Sequence, residues 1–184
     1  MKNRNTRVFL TFMGALLITA VGFTAMRDKL GISHYFSKYK TSVPVAAPSL
    51  MLPTFQNETK ILKLDQFKGQ VVLVHFFASW CSHCRAEHPT ILEVAKTPGL
   101  KILGVNVKDM PADLEKWLKE TGNPYTAIGL DQQAKAAQDW KVEGTPQPFL
   151  INKQGKIIYQ HSGELTASDV QEDLIPLIKK AIKW

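Results

Sequence analysis

Cysteine is scarce in this 184-residue chain: Cys81 and Cys84 are its only two, separated by Ser82 and His83. That scarcity excludes a disulfide-stapled scaffold, because a bridge across two intervening residues closes almost no loop and removes almost no entropy from the unfolded chain. Structural zinc is disfavoured too, since no second C-x-x-C and no downstream histidine pair of ligand spacing follows. His83 and His88 are close enough to add ligands but do not share a helical face. Only Cys84 and His88 have the i, i+4 spacing, which leaves a copper- or haem-handling carrier as the alternative from a different class. Internal repeats and low-complexity tracts are absent.

Basic excess is missing from most of the chain. Of the formal net charge of +7, nearly all comes from residues 1–40, where Lys2, Arg4, Arg7, Arg27, Lys29, Lys38 and Lys40 face only Asp28. The remainder is close to neutral, with no basic patch to bind nucleic acid. Long apolar runs are also rare, and the one present is at the front. Val8 to Met26 carries no charged residue over 19 positions, long enough to cross a bilayer. A cleaved signal peptide has a shorter apolar core and a small-x-small cleavage site. Thr19-Ala20 and Thr24-Ala25 are the only weak candidates for such a site, so 8–26 reads as a transmembrane signal anchor. Residues 1–7 then form a cytoplasmic tail, and everything after Met26 is exported. Residues 27–48, with Pro44, Ala46, Ala47 and Pro48 near their end, show no period and read as a linker to a domain over 49–184.

What is present at the cysteines is a strand, a C-x-x-C and a helix in immediate succession. Val71-Val72-Leu73-Val74-His75-Phe76-Phe77 is the β-branched and aromatic run of a strand covered on both faces. Ser82 to about Ala95 follows, with Ala86, Ile91, Leu92 and Ala95 at roughly helical spacing and a kink expected at Pro89. At a helix start the first sulfur meets unpaired N–H groups and the positive end of the helix dipole, which stabilise a thiolate. The second, one turn in, resolves the mixed disulfide that the first forms. The value of this pair lies in opening and closing, and two sulfurs carrying an electron pair need no cofactor or metal.

The rest alternates. A hairpin is expected from Leu50 to Phe55 and Ile61 to Leu64, a second buried strand from Leu100 to Val107, and a helix over Asp113 to Thr121 with Pro111 near its start. Tyr125 to Leu130 reads as a strand and Gln132 to Trp140 as a short helix. Phe149 to Asn152 and Ile157 to Tyr159 form a hairpin, and Leu165 to Ile182 an amphipathic helix apolar at Val170, Leu174, Leu177, Ile178 and Ile182. The predicted fold class is α/β: a mixed central sheet with helices on both faces.

This order resembles the thioredoxin fold, and several stretches narrow it. Phe76-Phe77-Ala78-Ser79-Trp80-Cys81, Cys84-Arg85-Ala86-Glu87-His88, Gly104-Val105-Asn106-Val107-Lys108-Asp109, Gly122-Asn123-Pro124-Tyr125 and Val142-Glu143-Gly144-Thr145-Pro146 resemble the membrane-anchored thiol:disulfide interchange proteins of bacterial cytochrome c maturation, the CcmG or DsbE family. The resemblance implies that Cys81 is the exposed nucleophile, Cys84 the buried resolving thiol and Cys81–Cys84 the redox-active disulfide. It makes Pro146 a cis-proline beside that disulfide, with Thr145 and Trp80 meeting the substrate strand. Glu87 matches an acidic residue that tunes the sulfurs and, when buried, accepts the proton that Cys84 loses; on a helix surface it would merely be solvated. The implied activity is that of a reductant on the periplasmic side of the inner membrane. Its clients would be apocytochrome c and its maturation partners, and its electrons would come from a membrane donor of the DsbD or CcdA type.

Three residues depart from that pattern. His75 stands where many thioredoxins carry a buried acid and this family a neutral amide, and reads either as a proton relay or as a buried neutral histidine. His83 takes a place next to the second cysteine that a DsbA-like oxidant fills with histidine, so a protonated imidazole there would stabilise the Cys81 thiolate and make the disulfide easier to reduce. That keeps a general or more oxidising disulfide catalyst as the alternative enzyme reading. Pro148 replaces an expected threonine and predicts an edge strand or a strand start.

Overall fold

The structure is a computed structural model that describes residues 44–183. The expected cytoplasmic tail, the expected signal anchor over 8–26 and most of the expected linker lie outside the described residues. Among the described residues, no helix is long and apolar enough to cross a membrane.

An eight-stranded mixed sheet forms the centre. In chain order its strands are β1 (Val45–Ala46), β2 (Met51–Thr54), β3 (Asn57–Lys63), β4 (Val71–Phe77), β5 (Leu100–Val107), β6 (Ala127–Asp131), β7 (Gln147–Ile151) and β8 (Lys156–Gln160). Across the sheet they run β1-β8-β7-β4-β5-β6-β2-β3. β4, β5 and β6 are parallel, whereas β7 lies antiparallel to β4 on its other side. The helices are α1 (Ser82–Ala95), α2 (Pro111–Thr121), α3 (Lys135–Asp139) and α4 (Ile175–Lys183), the last preceded by a π-helical turn at Asp169–Leu174.

All seven residues of β4 are buried, so side-chain alternation along it sorts the two faces. Val72, Val74 and Phe76 enter one apolar cluster with Phe149, Trp140 and the alanines of α3. Phe76, Trp140 and Phe149 pack there as three mutually tilted rings at 5.2–5.7 Å. On the opposite face His75 meets Glu87 of α1, and Phe77 meets Trp117 of α2. Gly104 in β5 sits opposite His75. A Cβ there would approach Phe77 to 2.8 Å and Tyr125 to 3.0 Å, so the glycine is what lets those two rings stack at 4.5 Å beside His75.

Most expected elements are found, and the departures have physical causes. Val45–Ala46, inside the expected linker, adds an edge strand because β8 offers it free backbone groups. The terminal helix starts later than Leu165, since Thr166 bonds its own N–H and hydroxyl to the Asp169 carboxylate and so holds the chain in a turn. The α1 helix runs on past Pro89. Pro148 does lie next to the start of its strand, but β7 is internal, flanked by β4 and β8, so the edge-strand expectation is corrected.

The largest correction concerns the buried face of α1. It consists of Cys84, Glu87, His88, Ile91 and Val94, whereas Ala86 is exposed and Leu92 and Ala95 only partly covered. A spacing of three, one, three and three is a regular helical stripe. Its two polar members were invisible to a count of apolar residues.

Candidate active site

Cys81 is the N-cap of α1, with extended backbone angles, and its Sγ accepts the Cys84 N–H at 3.2 Å. The sulfur thus takes the place of a capping oxygen on one of the helix's unpaired donors. Its own S–H donates to the Thr145 carbonyl at 3.3 Å. Cys81 is 6 % exposed and Cys84 1 %. The first cysteine therefore sits at the surface with far less exposure than expected, because the Thr145-Pro146 loop closes over it. Both are free thiols. Burial pushes the Cys84 thiol far above its ordinary range, and its hydrogen bond with Cys81 and the nearby Cys81 and Glu87 charges act in the same direction against an opposing Ala78 backbone bond.

Behind the sulfurs lies a line of buried polar groups. Glu87 is 1 % exposed, so it is no solvated surface carboxylate. Its Oε1 stands 2.7 Å from His75 Nε2, its Oε2 accepts the Leu165 N–H at 2.7 Å, and His75 Nδ1 is 3.0 Å from the Tyr125 hydroxyl. Burial, with the Glu87 and Cys84 charges, raises the Tyr125 hydroxyl well above its ordinary value, which keeps it a neutral donor. His88 turns elsewhere: its Nε2 lies 3.0 Å from the Gly122 carbonyl and its ring packs on Trp117. Burial lowers its pKa, and neighbouring His75 adds to that. Cys81, Cys84 and His88 are accordingly not gathered as a ligand set, and among the described residues no three His, Cys, Asp or Glu side chains are grouped to hold a metal ion.

A second buried acid holds the segment before Cys81. Asp109 accepts the Ser79 N–H at 2.6 Å and the Ser79 hydroxyl at 2.8 Å through its two oxygens, and Asn106 Nδ2 at 2.7 Å. The neighbouring Lys108 carbonyl accepts Trp80 Nε1–H at 2.9 Å, which fixes an indole that is still 61 % exposed. Exposed Met110 lies two residues beyond Lys108. Arg85 closes the far side by donating to the Ser79 carbonyl and stacking over Trp117.

The Thr145-Pro146 peptide bond is cis, as the resemblance implied. The Thr145 carbonyl faces Cys81, and the Pro146 carbonyl accepts the Gly163 N–H at 3.0 Å. An exposed indole, a dithiol at a helix start and the cis-proline loop beside it together form a surface on which a peptide can lie and exchange its disulfide.

The Redoxin family profile matches residues 42–174. Thiol:disulfide interchange protein CycY of Rhizobium leguminosarum bv. viciae is 40% identical over 139 residues, which cover 76% of this chain and 71% of that one. The chain belongs to this family. As a thiol–disulfide oxidoreductase it has further relatives of the same kind. DsbE of Vibrio cholerae is 31% identical over 175 residues, 95% of each chain. A crystal structure of a DsbE-type thiol:disulfide interchange protein from Chlorobium tepidum superposes with a TM-score of 0.64 at 29% identity, covering 76% of this chain and 96% of that one.

Of the residues singled out from the oxidoreductase sequence, Cys81, Cys84, Trp80, Thr145 and Pro146 meet at one surface, and Glu87 lies directly behind it. His83 does not join them. Its imidazole is 71 % exposed and stands 3.3 Å from Glu164. Tyr125, Asp109, Ser79 and Asn106 were missed as site residues, although all four lie in the stretches that carry the resemblance.

Proposed function

We propose that this oxidoreductase is held by residues 8–26 at the outer face of a bacterial inner membrane, where it reduces the haem-site cysteines of apocytochrome c or a disulfide on a maturation partner. Cys81 attacks the client disulfide, Cys84 resolves the resulting mixed disulfide, and Glu87 takes up the Cys84 proton. Trp80, Thr145 and Pro146 hold the client strand, and a membrane donor of the DsbD or CcdA type restores the dithiol. The observation that carries this reading is the buried Cys84 beside the buried Glu87. Cys81 attack on a client leaves a mixed disulfide that Cys84 must resolve, and a thiol that burial holds protonated needs a base beside it to do so, which Glu87 supplies. His83, exposed beside Glu164, keeps only a minor tuning role. The anchor reading rests on the uncharged apolar run over 8–26, long enough to cross a bilayer.

Equilibration with glutathione tests the direction. A reductant lies near or below about −230 mV, whereas a potential near about −120 mV would make the protein an oxidant. A peptide carrying an oxidised C-x-x-C-H haem-attachment site is the client to use. N-terminal sequencing of the native protein tests the anchor, and a soluble form beginning near residues 21–27 would remove it.

A further inference from the structure

His75 is buried in β4 against the active-site helix, and disulfide exchange does not by itself call for a histidine there. Its two ring nitrogens are assigned by their neighbours. Among the described residues the Tyr125 hydroxyl has one hydrogen-bond partner, His75 Nδ1 at 3.0 Å. Were Nδ1 protonated, the hydroxyl hydrogen would be left buried without an acceptor, at a cost of about 1–3 kcal/mol. Tyr125 therefore donates to Nδ1, and Nε2 carries the ring hydrogen and donates to Glu87 Oε1 at 2.7 Å. The Leu165 N–H donates to the other oxygen at 2.7 Å. Two donors from two separate segments thus lock the carboxylate in one orientation. Each oxygen keeps a second lone pair, and Cys84 lies one helical turn before Glu87 on the same buried stripe.

We propose that His75 is a positioning residue for the resolving step: the Tyr125–His75–Glu87 chain holds the Glu87 carboxylate where it accepts the Cys84 proton. This rests on the thiol–disulfide reading above. In the step, the Cys84 S–H proton passes to Glu87 and the electron pair left on sulfur forms the bond to Cys81 Sγ. The mixed disulfide breaks, and the client sulfur leaves as a thiolate that takes up the proton as Glu87 releases it. The groups facing the pair are Cys84 and His88 from α1, Tyr125 from the segment before β6, and the Leu165 N–H after β8.

The test mixes the reduced full-length protein with glutathione disulfide, quenches with acid, and follows two species by mass spectrometry: the Cys81–glutathione mixed disulfide and the Cys81–Cys84 disulfide. His75→Leu is expected to slow conversion of the first into the second by at least about tenfold, equivalent to about 1.4 kcal/mol, while attack by Cys81 stays within about twofold of wild type. His75→Gln keeps an N–H that reaches Glu87 but cannot exchange a ring proton, and is expected to recover conversion to within about threefold of wild type. Tyr125→Phe preserves the ring packing, so it stays folded even where the leucine variant does not, and is expected to slow conversion by about threefold through loss of the tautomer lock. Wild-type conversion in Tyr125→Phe and in folded His75→Leu, or a glutamine variant no faster than the leucine one, would overturn the proposal. A wild-type protein that forms no mixed disulfide at all would instead overturn the thiol–disulfide reading itself.

Discussion

Alkaline pH should destabilise the reduced protein through Cys84 in particular. The thiol's ordinary value is 9.0, and burial pushes it far above that in the folded chain. The unfolded chain therefore loses this proton as the pH passes 9, while the folded chain retains it. Stability from this group is fully present below the unfolded value and is lost as pH rises toward the folded one, at a limiting slope of about 1.4 kcal/mol per pH unit. Between about pH 9 and 10 the loss integrates to about 1 kcal/mol, a readable part of a total stability of about 5–15 kcal/mol. The assay is urea unfolding of wild type and Cys84→Ala, both reduced, at several points between about pH 8 and 10. The cavity left by the alanine is the same at every pH, so the change in their difference reads the Cys84 thiol together with its coupling to Cys81 and Tyr125. A difference that stays constant across the range would refute the assignment of Cys84 as a buried thiol held neutral. With it would go the reason for a base beside it.

Cys81→Ser should abolish disulfide reduction, whereas Cys84→Ser should still attack and accumulate a mixed disulfide visible by mass spectrometry; greater alkylation of Cys84 than of Cys81 in the reduced wild type would reverse the roles. Asp109→Ala strands the Ser79 N–H, the Ser79 hydroxyl and the Asn106 amide, and at about 1–3 kcal/mol for each unpaired buried group it should lower the urea midpoint sharply and alter Trp80 fluorescence. An unchanged midpoint would show that water replaces the carboxylate. His83→Thr should make the couple more reducing by less than about 30 mV, the equivalent of one pKa unit, because its imidazole is exposed beside Glu164; a larger shift measured against glutathione would place the ring at the sulfurs.

The front of the site was legible in local signals, whereas at its back Glu87 and His75 were singled out through the resemblance but their pairing with each other and with Tyr125 was not. Strand β4 and the start of α1 follow from local signals, an unbroken β-branched and aromatic run that ends in a C-x-x-C, and neither needs tertiary information. Glu87 and His88 defeated the periodicity argument because a buried polar side chain is paid for by partners distant in sequence. Glu87 depends on His75 and Leu165, and His88 on the Gly122 carbonyl. Apolar spacing therefore favoured Ala86, Leu92 and Ala95, whose burial would have needed no partner, and the true stripe lay between them. His75 stood out as a departure from the family pattern, at a place where a buried acid or a neutral amide was expected. Its function as a donor to Glu87 depends on a tyrosine fifty residues later.

The stretches that carried the family resemblance were quoted without an account of why they should occur together, and the geometry supplies one. Gly104 clears space for the Phe77–Tyr125 stack, which places the Tyr125 hydroxyl on His75. Asn106 and Asp109 hold Ser79, and the Lys108 carbonyl holds Trp80, so the segment entering Cys81 is tied to the end of β5. Gly122, at a φ of +94° that an L side chain rarely adopts, ends α2 and presents its carbonyl to His88. Each of these two stretches thus contributes at least one polar tie to α1 or to the segment leading into it. Substitutions in the Gly104–Asp109 and Gly122–Tyr125 stretches should therefore couple non-additively with changes at Ser79, Trp80, Glu87 or His88, the groups they hold. Additive energies in a double-mutant cycle between Asp109→Ala and Ser79→Ala would show that this tie does not operate as a unit.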